Sequence, residues 1–253
     1  MSPDAVGVSI TMVDIPDTAE QPYADLWNEI DEQAIPVEMR RRLEANGLRC
    51  GHISGQLPQR ILDQFNSSED LSGLAEGDFR AIDTSLSARA ELRQLRAGQP
   101  SKIALTKQPV GQVHVLENEG GQLRGETFEQ AQCLFRLTAF PTGDGRSRLE
   151  LVPEIHHGQW QQRWIGYDGA MRLDADRQRR AFEHLKFESI LSPGEVLIVG
   201  SSSDLKGLGG QFLKVDDAET PKRKCLLLRL SQTQMDDRFA PGQESAPIVT
   251  AGE

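Results

Sequence analysis

The sequence predicts an α+β protein, with an N-terminal β-α-α-β-α module followed by a mainly antiparallel β domain. Three observations carry that prediction. Residues 5–66 combine a β-branched alternating run and a short second strand with apolar residues at helical spacing, short alternating runs separated by turn residues fill residues 81–233, and a stretch rich in Ser, Gly and acids, "SSEDLSGLAEGDFR", lies between them as a loop or linker.

The elements follow in order. "VGVSITMVDI" is β-branched and alternating, a first strand that ends at Pro16. Leu26, Trp27, Ile30 and Ala34 then recur at helical spacing, and Pro36 suits the first turn of a second helix whose apolar side is Val37, Met39 and Leu43. Asn46-Gly47 closes that helix, because glycine takes the left-handed conformation at a helix end without steric cost. "LRCGHI" reads as a strand, and Pro58 opens a helix with Ile61, Leu62 and Phe65 facing inward.

In the second part, "KIALTK", "GQVHVLE", "QAQCLFRLTAF", "SRLELVPEIHH", "RWIGYDGAMRL", "EVLIVG" and "KCLLLRLSQTQ" read as strands of an antiparallel sheet or sandwich. "PTGDGRS" and "SPGE" are the hairpin turns, the latter with the Pro-Gly pair of a type II turn. Residues 175–190 fit a helix or a strand, because Phe182, Leu185 and Ser189 keep helical spacing while Leu185 and Phe187 alternate. Residues 234–253, polar and rich in Pro and Gly, read as a disordered tail.

Composition narrows the function. The chain of 253 residues has 38% apolar and 26% charged residues. It has no stretch near the roughly 20 apolar residues of a membrane helix. A formal net charge of −10 without a basic stripe argues against nucleic acid as a partner. Cys50, Cys133 and Cys225 sit among apolar neighbours, far apart and odd in number, and read as buried small hydrophobes rather than disulfides or CxxC ligands. The opening "MSPDAVGVSITMV" has neither a basic n-region nor a long apolar h-region, so no signal peptide is expected in the sequence as given.

The stretch "LELVPEIHHGQW" carries the candidate chemistry. Strand alternation puts Leu149, Leu151, Pro153, Ile155 and His157 on the apolar side and Glu150, Val152, Glu154 and His156 on the other. Glu154, His156 and His157 are the candidate metal ligands. Two donors on one face fall short of the three or four that zinc takes, so the expectation is a strand end with His157 hydrogen-bonded and His156 at the surface. "VLIVGSSSDLKGLGGQF" has the look of a phosphate loop but matches no GxGxxG, GxxxxGK[ST] or GxSxG pattern, so Ser201, Ser202 and Ser203 read as a connection between strands. Asp31-Glu32, Asp216-Asp217 and the "RQRR" run ending at Arg180 read as solvated surface. Trp160 and Trp164 fit either a core or an exposed contact surface for a partner or ligand. No cofactor is expected.

With these residues in view, residues 131–230 resemble the C-terminal β-domain of secretins, the outer-membrane ring proteins of bacterial secretion and pilus systems. "SRLELVPEIHHG", "LKFESILSPGEVLIVGS" and "LKGLGGQFL" followed by "KCLLLRLSQTQ" carry the likeness, and the β-α-α-β-α opening is similar to the small ring-building domains of that family. The chain departs from the pattern at Gly200-Ser201, where secretins carry a second glycine, and the long alternating hairpins of a pore are not expected. "LWNEIDEQ" and "RRRLEANGLRCG" also resemble bacterial proteins that bring no activity with them. The resemblance implies a non-enzymatic structural or assembly protein of the bacterial envelope, in the periplasm or outer envelope, with protein partners or self-association. The alternatives are a metal-dependent hydrolase built on Glu154 and His156, and a ligand-binding domain using Trp160 and Trp164.

Overall fold

The computed structural model describes residues 5–66, 91–106, 109–167, 170–215 and 221–234, without the side chains of 161–176 and 232–234. The expected linker at 67–80 and the tail beyond Gln234 lie outside the described residues.

Apolar alternation makes the strands, and where both faces are apolar the strand is central. The first sheet has the order β2-β10-β11-β1-β3, formed by β1 (Ala5–Pro16), β2 (Leu48–Ile53), β3 (Glu91–Arg96), β10 (Val196–Ser201) and β11 (Lys222–Gln234). Every residue of β10, "VLIVGS", is buried. The second, six-stranded sheet runs β4-β6-β7-β8, from β4 (Ser101–Ala104), β6 (Gln122–Pro141), β7 (Ser147–Tyr167) and β8 (Ala170–Ala181). β5 (Val110–Glu119) adds to β6 and β9 (Phe187–Leu191) to β7. All of these pairings are antiparallel.

The fold is therefore α+β and β-rich, but the first sheet takes strands from both sides of the expected linker. β1 and β2 do not pair with each other; β11 and β10 lie between them. The physical reason is burial on both faces. Val8 and Ile10 of β1 join Leu197, Val199, Leu226 and Leu228 in the core shared with Phe135, Leu149 and Leu151 of the second sheet. Val13 and Ile15, of the opposite parity, join Val196, Ile198, Cys225 and Leu227 under Tyr23, Leu26, Trp27, Ile61 and Phe65. Residues 5–66 could not cover both faces alone.

Among the described residues the helices are α1 (Val37–Ala45), α2 (Gln59–Asn66), α3 (Gly207–Phe212) and two 310 segments, Tyr23–Glu29 and Glu183–Leu185. The helix expected through Ala34 is the first 310 segment and ends at Ile30, which is extended. Its continuation is pre-empted by Asp31, which exchanges backbone hydrogen bonds of 3.0 and 2.8 Å with His52 of β2. Pro36 and Asn46-Gly47 bound α1 as the sequence predicts, with Gly47 at φ +76°. The ambiguous residues 175–190 divide into the end of β8, the second 310 segment and the start of β9. "PTGDGRS" joins β6 to β7 as a hairpin. "SPGE" is a β-turn closed by Glu195 N–H donating to Ser192 O at 3.0 Å, but it carries the chain from β9 in one sheet to β10 in the other.

Contrary to the sequence expectation, long hairpins are present. β6 has 20 residues and β7 has 21. β6 pairs with β5 over its first half and with β7 over its second, and the changeover falls at Gln130, which holds φ +48°. β7 changes register after His157, at Gly158 (φ +72°), and beyond it pairs with β8 alone.

All three cysteines are free and buried. Burial pushes each thiol up to about 12, so little nucleophilic thiolate forms. Ellman's reagent at mildly alkaline pH is expected to leave the native protein unmodified and to titrate all three thiols in denaturant. Rapid reaction of any of them in the native state would contradict this packing.

Candidate functional site

Glu154 and His156 do share a face of β7, as alternation requires, but that face is covered there. Glu154 is fully buried and His156 is 5% exposed, so the expectation of a surface His156 is corrected. His156 Nε2–H donates to Glu154 Oε2 at 3.2 Å, and Arg136 Nε of β6 lies 2.7 Å from Glu154 Oε1. Burial pulls the Glu154 carboxyl upward. The hydrogen bond from His156 and the charges of Arg136 and Arg179 outweigh it and leave the group below its ordinary value. A metal at this place would have to displace Arg136. The pair instead ends an ionic ladder on the outer face of the second sheet, in which Arg148 and Lys186 bridge Glu150 and Glu188 and Arg136 also reaches Glu183. His157 lies on the opposite face, its ring 4.9 Å from that of Phe128. Burial and the neighbouring Arg177 lower its pKa.

The serine loop is held by Arg223, whose Nη1 and Nη2 donate to the carbonyls of Ser202 (3.2 Å) and Ser203 (2.9 Å) while Nε donates to Asp17 (2.9 Å). The loop thus presents carbonyl oxygens where a phosphate cradle needs N–H groups. A helix does follow it, the six-residue α3. Its glycines serve contact, since a Cβ on Gly209 would stand 1.7 Å from Gly47 O. Glu32 is bound to Arg49 at 2.6 Å, and Asp216-Asp217 lie outside the described residues. "RQRR" is not a plain solvated face. Arg177 is 8% exposed with Nε donating to Gly158 O, and Arg180 lies 5.1 Å over the Phe182 ring. Trp160 is 70% exposed; the Trp164 side chain lies outside the described residues, and its backbone pairs with Leu173.

A different group of ionisable residues converges at the end of β5. In "VHVLENE", Val113 and Val115 are buried on one face of the strand, and the next residue of that parity is Glu117, only 2% exposed. An acid thus stands where the alternation calls for an apolar side chain. That was the signal available in the sequence. Glu119 follows on the same face, and His184 arrives from the second 310 segment; one donor atom from each of the three lies within 4.8 Å of the others. The backbone between the two acids is fixed by buried Asn46. Its Nδ2 donates to Asn118 O at 2.9 Å, and Asn118 N–H donates to its Oδ1 at 2.7 Å. Arg180 Nη2 donates to Glu117 Oε2 at 2.9 Å. Glu117 Oε1 accepts no hydrogen bond, and His184 Nδ1 stands 3.3 Å from it.

No family model, curated protein or solved structure matches the chain. The secretin resemblance therefore stands on the quoted motifs alone.

Proposed function

We propose that this chain is a non-enzymatic structural or assembly protein of the bacterial envelope that works by binding protein partners or copies of itself. One observation carries the reading: the hairpin β5–β6 turns large apolar side chains outward at its end. Leu116 and Leu123 are 47% and 66% exposed. They share one face of the ribbon, since Leu116 pairs with Gly125 and Asn118 with Leu123. Trp160, on the separate β7–β8 ribbon, is 70% exposed. Clustered exposed apolar residues are characteristic of contact surfaces. The 20- and 21-residue strands agree with the hairpin-rich secretin pattern, and the Arg136–Glu154–His156 arrangement favours structure over hydrolysis. No helix among the described residues is long and apolar enough to cross a membrane.

The test combines fractionation of the native host with cross-linking of the wild type and a Leu116→Ser/Leu123→Ser variant. Recovery in the envelope fraction, with cross-linked species that disappear in the variant, is the expected result. A cytosolic protein that forms no cross-linked species would overturn the reading.

A further inference from the structure

The geometry points to a divalent transition-metal site formed by Glu117, Glu119 and His184. The inference stands apart from the proposed function, since it concerns the purified chain alone. Two carboxylates and an imidazole are a donor set that zinc and its neighbours accept. Donors about 2.0–2.1 Å from a tetrahedral zinc lie roughly 3.3–3.4 Å from one another. Glu117 Oε1 and His184 Nδ1 are 3.3 Å apart without forming a hydrogen bond, so they are already separated as two such ligands would be.

The acids alone would not make the case. What points to a ligand is the buried, unsatisfied oxygen: Glu117 is 2% exposed, its Oε2 takes the Arg180 guanidinium, and its Oε1 accepts no hydrogen bond. Leaving a buried carboxylate oxygen without a hydrogen bond is costly, and a cation relieves that cost. Arg180 does not exclude one, because Glu117, Glu119 and Glu126, the last met by Arg180 Nε at 3.4 Å, outnumber Arg180 and the cavity-lining Arg124 and keep the local charge negative. A cavity of about 220 Å³, lined by Glu117, Glu119, Gln122, Leu123 and Arg124, adjoins the group and has room for water at a fourth coordination position. Asn46 holds Asn118, and with it the spacing of the two glutamates, before any metal arrives.

The test uses the full chain, stripped with EDTA and titrated with zinc chloride by calorimetry, with metal content measured by mass spectrometry after dialysis. One zinc per chain is expected. Glu119→Gln and His184→Gln should each weaken binding by at least about 10-fold, while His114→Gln, which alters an exposed histidine elsewhere on β5, should not. Glu119 is exposed, so its variant keeps the fold, which circular dichroism verifies. Zinc should also raise the melting temperature of the wild type and not that of Glu119→Gln. Failure to retain stoichiometric zinc, or retention unchanged in both Glu119→Gln and His184→Gln, overturns the assignment.

Discussion

Gly47→Ala is expected to destabilise the protein by about 2–5 kcal/mol, from left-handed backbone strain of about 1–2 kcal/mol and forced overpacking of about 1–3 kcal/mol. Gly47 holds φ +76°, and a Cβ there would stand 1.8 Å from Lys206 O, a backbone atom that cannot swing aside. The same approach lets Gly209 N–H donate to Asn46 O and Ser202 N–H to Gly47 O. Loss of contact would therefore spread to α3, whose Phe212 packs against Phe135 and Phe182. Gly158→Ala is the control, because Gly158 has nearly the same φ, +72°, with nothing within 4 Å of the added methyl. Urea unfolding of the two variants separates the terms. If both lose only the 1–2 kcal/mol of backbone strain, the close packing of α3 on the α1 terminus is wrong.

Arg136→Met should cost about 3 kcal/mol, the low end for removing one member of a buried ion pair, because Arg136 keeps 25% side-chain exposure while Glu154 has none. The loss should depend on pH. The folded Glu154 carboxyl lies below its ordinary value of 4.5, so its stabilising contribution is present above that value and fades as pH falls through the lower, folded one. Without Arg136 the buried carboxyl is pushed upward and becomes easier to neutralise. The difference between variant and wild type should therefore narrow in acid. Urea midpoints measured at neutral pH and near pH ~4 test this. A gap that stays constant or widens on acidification would mean that Arg136 contributes through packing rather than charge.

Both effects concern residues whose neighbours are remote in sequence, and that is where sequence reasoning stopped. The Glu154/His156 face was legible from alternation, but its burial was not, because Arg136 and Glu183 reach it from other elements. The Glu117 group was half legible. The acid breaking the Val113–Val115 alternation could be seen, whereas His184 lies 67 positions away, 184 minus 117, and is delivered only by the turn after β8.

Local chemistry in the sequence determined the strand of residues 5–16, the bounds of α1 at Pro36 and Gly47, the antiparallel β-rich second part and the burial of the three cysteines. Backbone restrictions and apolar periodicity act over a few residues, so they can be read from one stretch at a time. Tertiary structure alone decided that β10 and β11 separate β2 from β1, that Asp31 ends the first helix early, and that "SPGE" connects two sheets. These outcomes depend on which distant strand edge and which apolar face remain to be covered, and the same local pattern satisfies several answers to that question until the whole chain has folded.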